Sequence, residues 1–328
     1  MISANAQPIP RIGIAGVGLI GGSLALGLRR SWETATLIGW DLSSDVAEGA
    51  KNAGVLHDVV DSLDALVSRV DVLVLAPPTS ACASLLEQAL SSESSGCVIT
   101  DVASVKGPLM KVAEKFSAER TRFLVPGHPI AGSERSGYEA ARADLFANHG
   151  VILTPGDDTD SASVDVVKRM WRAVGASVYE MPAKDHDAIL ARTSHLPHML
   201  AFALVQALAS HVDRDAIFRH AAGGFRDFTR IASSNPIMWR DIALNNPDAL
   251  LDSMDEFERQ LQELRLAIAD GDGQALEHFF RDAKHARDEF ARSFDRRHEP
   301  ASPEVVSNES ANSSSSDNEL RSDSGQIR

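Results

Sequence analysis

Four stretches of the chain concentrate side chains able to move protons or grip an anion: Asp101-Val-Ala-Ser104-Val-Lys106, Gly127-His128-Pro129-Ile130-Ala131-Gly132-Ser133-Glu134, Thr193-Ser194-His195-Leu196-Pro197-His198, and residues 223–241. His128 and His198 carry imidazoles, which exchange a proton close to neutral pH. Ser104 and Ser194 add hydroxyls that donate or accept a hydrogen bond. The last stretch holds Arg226, Arg230 and Arg240 with Trp239, in a region otherwise rich in acids. Guanidinium groups bind carboxylates through two parallel bonds, so an anionic substrate is the natural occupant. The chemistry these types suit is proton abstraction from a small, negatively charged molecule.

A fifth stretch points to a cofactor. Arg11-Ile-Gly-Ile-Ala-Gly16-Val-Gly18-Leu19-Ile20-Gly21 sets a G-x-G-x-x-G directly after an apolar run and opens a helix. Gly16 permits the tight turn, Gly18 lets backbone approach a pyrophosphate, and Gly21 lets helix and sheet pack closely. Leu19 and Ile20 start the helix, whose free N–H groups and dipole favour phosphate. Asp41 follows 20 residues after Gly21, where a carboxylate accepts bonds from the adenosine ribose hydroxyls. Leu42, Ser43 and Ser44 come next, with no arginine for a 2′-phosphate, so NAD is expected in preference to NADP. The plainer alternatives are an ordinary glycine-rich turn and, for Asp41, a carboxylate capping the next helix.

These residues need elements to carry them. From residue 11 to 183, short apolar runs alternate with longer amphipathic stretches, the pattern of strands and crossover helices in a parallel sheet. Strands are expected at 11–15, 36–40, 71–76, 97–100, 123–125, 150–153 and 177–181, and the first two substrate stretches begin at strand ends. Ligands of open α/β sheets bind at that carboxyl edge. From residue 184 to 297 the period becomes helical, as in Leu251, Met254, Phe257, Leu261 and Leu264. The expected fold class is therefore α/β: a Rossmann-type dinucleotide-binding domain at 11–183, then an all-helical domain at 184–297. Residues 1–10 read as an extension. Residues 298–328, polar and including Ser313 to Ser316, cannot bury enough apolar surface to order and are expected to be disordered.

Composition removes whole classes of function. The 328 residues carry a formal net charge of -14, which argues against a nucleic-acid or anionic-membrane partner. Cys82 and Cys97 are too few for a disulfide framework, so two reduced thiols and a cytoplasmic location are expected. Neither a signal peptide nor a membrane span is expected.

Taken in order, the motifs His128-Pro-Ile-Ala-Gly132, Ser194-His-Leu-Pro-His198 and Gly224-Phe-Arg-Asp-Phe-Thr-Arg230 resemble the prephenate and arogenate dehydrogenase family over residues 11 to 293. The resemblance implies a Rossmann domain followed by a helical substrate and dimerisation domain, with the active site in the cleft between them. It implies NAD-dependent oxidative decarboxylation of prephenate, or of arogenate, in tyrosine biosynthesis by a homodimer. It makes His128 the catalytic histidine on the ring hydroxyl and Ser104 the serine that orients that hydroxyl near the nicotinamide. Ser194 and His198 become a second substrate-binding pair, and Arg230 the holder of the side-chain carboxylate. Gly223, Asp227 and Trp239 become pocket positions, some supplied by the partner subunit.

Alternative readings attach to several residues. His195 suits a structural role. His195, His198, Asp185 and His186 could be read as metal ligands, although nicotinamide chemistry needs no metal and none is expected. Arg226 suits a surface ion pair with Asp227 as well as it suits substrate. Lys106 suits cofactor contact or solvent, and Trp239 suits packing more than stacking. Phe279 and Phe280 suit a core or a dimer interface. A β-hydroxyacid dehydrogenase would share the layout, but the region 184–196 has no glycine-rich helix bearing a catalytic lysine. An NAD-sensing regulator would keep Gly16, Gly18 and Asp41 without reason to keep His128, Ser104, His198 and Arg230.

Overall fold

The computed structural model describes residues 10–298 apart from 95 and 134, so the expectations for residues 1–9 and for the tail from 299 lie outside the described residues. The first half alternates as expected. Strands β1 (Ile12–Ala15), β2 (Leu37–Trp40), β3 (Asp58–Val59), β4 (Val72–Leu75), β5 (Val98–Asp101) and β6 (Leu124–Val125) form a six-stranded sheet in the order β3-β2-β1-β4-β5-β6, and every pairing is parallel. Between them run α1 (Leu19–Ser31), α2 (Ser44–Asn52), α3 (Leu63–Val67), α4 (Thr79–Ser91), α5 (Gly107–Ala113) and α6 (Ala118–Thr121). The strand order reverses beside β1, the crevice where doubly wound sheets bind dinucleotides.

Both faces of this sheet are covered, which is why its central strands are apolar throughout. One core packs Ile12, Ile14, Val72 and Val74 against Leu24 and Leu28 of α1 and Trp171 of α7 (Ser161–Ala173). The other packs Leu73, Leu75 and Ile99 against Leu66 of α3, Leu86 of α4 and Leu109 of α5.

The sequence pattern missed one feature here. The run of parallel strands stops at β6, and a separate three-stranded sheet follows, with β7 (Gly127–Pro129) antiparallel to β8 (Gly150–Leu153) and β8 parallel to β9 (Ser177–Glu180). Pro126 separates β6 from β7; lacking an N–H, it cannot continue a ladder as donor. Its carbonyl instead accepts from Thr154 N at 2.8 Å. Neither the two-residue β3 nor Gly-His-Pro in β7 has an apolar alternation to announce it.

The second half is helical: α8 (Ala183–Leu190), α9 (Leu196–Ala209), α10 (Arg214–Arg219), α11 (Gly223–Thr229), α12 (Pro236–Asn245) and α13 (Pro247–Ala269). A π-helical turn, Ala191–His195, joins α8 to α9. The continuous stretch Ala183–Ala209 is long and apolar enough, by length and composition alone, to cross a membrane, which differs from the expectation that no segment would be. It nevertheless buries His186, Asp187 and His195 against the protein, so its polar face has partners here. The described residues divide into two units, with the boundary after Gly273. Of the second, α14 (Gly273–His298) is a long helix carrying an i,i+4 ion pair, Lys284 to Asp288 at 2.5 Å, and an edge-to-face contact between Phe279 and Phe280.

Candidate active site

The turn after β1 has the shape a dinucleotide requires. Gly16 adopts φ +96°, and a Cβ there would lie 2.6 Å from the backbone of Ala76. A Cβ on Gly21 would collide with the carbonyl oxygen of Gly16 and come within 2.8 Å of Ile14. Gly18, by contrast, faces open space. The N-terminus of α1 above it has no side-chain cap and no acidic residue in its first turn. Its unpaired N–H groups and open approach therefore fit a pyrophosphate. Leu19 and Ile20 open α1 half-buried, each packed against the core beneath. At the end of β2, Asp41 is anchored by Val17 N at 2.8 Å and Ser43 N at 3.0 Å. Those two bonds orient the carboxylate beside the glycine turn, while the cap of α2 is Ser43. Asp41 is thus not the cap.

At the carboxyl edge of the same sheet, a buried polar network organises the loop after β5. Asp101 closes β5 and accepts from Ala103 N at 2.8 Å and Gly127 N at 3.2 Å. Lys106 is fully buried; its ammonium pairs with Asp101 and donates to the Gly127 carbonyl at 2.5 Å. The solvent-facing reading of Lys106 from sequence does not hold: it is a staple between the loop 102–106 and β7. Ser104 sits half-buried on that stapled loop, and His128 is the central residue of β7, paired with Ile152.

His128 is 9% exposed and has one hydrogen-bonding side-chain neighbour: its Nδ1 lies 2.9 Å from His186 Nε2. His186, fully buried on α8, places its Nδ1 2.7 Å from Asp187 Oδ1. Asp187 also accepts from Lys106 N at 2.9 Å and Gly107 N at 2.7 Å. Burial alone would push the Asp187 carboxyl up, but the bonds from His186 and those two backbone amides outweigh it and hold it below the usual range. Burial pushes the His128 imidazole well below its ordinary value, and the Lys106 charge adds to this. His128 is therefore neutral at neutral pH.

The π-helical turn follows. A π turn holds extra residues per rotation and so shifts the faces of the helices it joins. His195 within it is buried, receives Asn246 Nδ2 at 3.3 Å and is pushed down to about 4 by burial. That is the structural role expected. His198, one turn on, donates from Nδ1 to the Ser194 carbonyl at 2.8 Å and stacks on Trp239 with ring centroids 3.6 Å apart and planes 21° from parallel. Burial lowers its pKa, the Ser194 bond opposes this, and the Arg230 charge lowers it further. Arg230 is thus within electrostatic reach of His198 while itself exposed. Trp239 is buried among Val105, Ile242, Met199 and Phe202, and among the described residues its indole N–H has no partner. Packing and stacking both describe it.

Of the residues singled out from sequence, Ser104, His128, Ser194, His198 and Trp239 lie on elements tied together by these contacts. Gly223 and Asp227 are exposed on α11, where Asp227 meets Arg226 at 3.4 Å, the surface pair foreseen as one option for Arg226. Among the described residues no three His, Cys, Asp or Glu side chains converge to hold a metal. The sequence reading overlooked Asp187 and Asn246, and gave Asp101 and His186 no role beside His128. Its only available signal was the run Asp185-His-Asp187 beside a predicted helix start, which spacing alone could not connect to His128, 58 residues away.

Comparison with known proteins agrees with this geometry. Residues 24–180 match the family model described as prephenate dehydrogenase, nucleotide-binding domain, and residues 182–282 match prephenate dehydrogenase, dimerization domain. A prephenate dehydrogenase of Bacillus subtilis (strain 168) is 40% identical over 277 residues, 84% of this chain and 74% of that one. A cyclohexadienyl dehydrogenase of Zymomonas mobilis is 35% identical over 278 residues, 84% of this chain and 94% of that one. A crystal structure of prephenate dehydrogenase from A. aeolicus in complex with hydroxyphenyl propionate and NAD+ superposes with a TM-score of 0.80 at 34% identity, covering 87% of this chain and 100% of that one. With a dinucleotide cradle at β1, a buried neutral imidazole at the sheet's carboxyl edge and both family models matched in order, the chain belongs to the prephenate dehydrogenase family, as an NAD-dependent oxidoreductase.

Proposed function

We propose that the cleft built by Ser104, His128, Ser194, His198 and Arg230 oxidises and decarboxylates prephenate to 4-hydroxyphenylpyruvate. The observation that carries this reading is His128: a buried, neutral imidazole held at the carboxyl edge of a sheet whose first turn fits a dinucleotide. The substrate is a cyclohexadiene carrying a hydroxyl and a hydrogen on one carbon and a carboxylate on the opposite carbon. Losing hydride, the hydroxyl proton and CO2 leaves an aromatic phenolate, which takes the proton back to become the phenol, and aromatisation renders the step irreversible.

NAD would be held by Gly16, Gly18, Leu19, Ile20, Gly21 and Asp41, and would supply the hydride acceptor. The chain's own residues do the rest. His128 takes the hydroxyl proton as charge builds on that oxygen, a contribution of roughly 10² to 10⁴ in rate for a general base. Ser104 orients the hydroxyl. Arg230 grips the side-chain carboxylate, helped by Ser194 and His198, and Trp239 stacks on His198 to fix its ring. Residues 11–183 act as the NAD-binding domain and 184–297 as the substrate and dimerisation domain. The half-exposed apolar surface of α9 and α13, including Leu204, Leu251, Phe257 and Leu261, suits a homodimer. Gly223 and Asp227 then serve as pocket positions within that dimer. Buried, reduced Cys82 and Cys97 suit a cytoplasmic enzyme.

The second reading, arogenate as substrate, is favoured by the cyclohexadienyl dehydrogenase relative. Steady-state NADH formation with prephenate and with arogenate, each with NAD and NADP, tests the assignment: the highest kcat/KM is expected for prephenate with NAD. His128→Asn should lower kcat by about 10² or more while NAD still binds. Absence of NADH with both substrates, or near-normal turnover in His128→Asn, defeats the reading.

A further inference from the structure

We propose that His186 and Asp187 are positioning residues that act through His128, holding its base nitrogen open and receiving the proton it takes from substrate. This rests on His128 being the base, and the experiment below separates the two claims.

The tautomers follow from the bonds. An ionised carboxylate only accepts, and Asp187 has three donors around it: Lys106 N, Gly107 N and His186 Nδ1. His186 Nδ1 therefore carries a hydrogen. In neutral His186 the Nε2 is then a lone pair, and the 2.9 Å contact to His128 Nδ1 requires the hydrogen to sit on His128. His128 Nε2 is left as the lone pair. One buried carboxylate thus sets, through two rings, which nitrogen of His128 is basic. A carboxylate that orients a histidine base works on the same logic; the added feature is a second imidazole between them.

The same chain accepts the proton. His128 Nε2 takes the hydroxyl hydrogen, the Nδ1 hydrogen of His128 passes to His186 Nε2, and the positive charge comes to rest on His186 against Asp187. His128 ends neutral, with its hydrogen on Nε2. Decarboxylation leaves a phenolate oxygen beside His128 Nε2, and the reverse shift returns the proton through His128 to that oxygen, since His186 itself is fully buried; product leaves as the phenol. Among the described residues the other buried carboxylate nearby, Asp101, has its charge met by Lys106. Lys106 is cationic and already paired with Asp101, and His195, from the π turn, receives Asn246.

His186 is the residue to change, because among the described residues its side-chain bonds go to His128 and Asp187 alone, whereas Asp187 also holds the start of α5. His186→Phe keeps the ring and removes the relay; His186→Gln is the smaller change should Phe not fold, as judged by a thermal melt. Expected for either variant is a fall in kcat of roughly tenfold or more, with KM for prephenate and NAD affinity within about twofold. The acidic limb of the kcat–pH profile should move to lower pH, because a base that has lost its proton acceptor is both weaker and harder to protonate. On a His128→Asn background the same change should cost nothing further, since both act as one unit. Unchanged kcat and an unmoved limb in His186→Phe or His186→Gln overturn the relay, as does a full additive loss on the His128→Asn background. Normal turnover in His128→Asn alone overturns the base assignment instead.

Discussion

His128 shows how far a side chain's chemistry depends on what lies behind it. An exposed histidine is half-protonated at a pH of about 6.5; burial in β7 beneath a cationic lysine keeps this one neutral, which a proton acceptor needs. Arg230 is the opposite case, an exposed cation whose charge reaches His198 and is free to meet an anion. Replacing it with alanine removes a charge-assisted carboxylate bond worth about 1.5 to 3 kcal/mol. Arg230→Ala should therefore raise KM for prephenate by roughly tenfold to a hundredfold with a smaller change in kcat; an unchanged KM in steady-state assays would place the carboxylate elsewhere.

At the level of elements, three short pieces of irregular structure do the positioning. The loop 102–106 is held down by Lys106 and Asp101, β7 is redirected by Pro126, and the π turn re-registers α9 against α8. Lys106 matters for stability as well as placement. Both members of its ion pair are essentially fully buried, so Lys106→Met leaves the Asp101 carboxylate without its counter-charge. Breaking such a pair from one side costs about 3–5 kcal/mol. Urea unfolding should show that loss, and the double variant Lys106→Met/Asp101→Leu should recover part of it. Equal stability of Lys106→Met and the parent protein would mean that the pair contributes nothing to the fold.

Across the whole molecule, the buried histidines make folding pH-dependent with a definite sign. His128, His195 and His198 all have folded pKa values below the ordinary one. Their neutral forms are thus the ones the fold accepts. The stability they contribute is present above the unfolded pKa of about 6.5 and is lost as pH falls through the folded values. For His195, held at about 4, the unfolded chain binds a proton that the folded chain refuses between those limits. That difference alone amounts to ~3 kcal/mol. Melting temperature should decline steadily from pH 7 toward pH 4, and a His195→Gln variant should decline less. A flat profile would contradict the burial of these rings.

The local grammar of the chain was enough to propose a cofactor cradle, because turn glycines, the strand before them and the acid after β2 all lie within one βαβ unit. It was likewise enough for the α/β-then-helical order, since apolar periodicity is a local property. His128, Ser104, His198 and Arg230 stood out as residue types able to do chemistry, but only the resemblance of their motifs to a family gave them individual roles. What tertiary structure alone decided is the network behind them: Lys106 buried rather than exposed, the break into two sheets, and the His128–His186–Asp187 chain. Those depend on groups brought together from β5, β7 and α8, up to 81 residues apart, and on the loss of solvent around them. Neither separation nor desolvation leaves a periodic mark in a sequence.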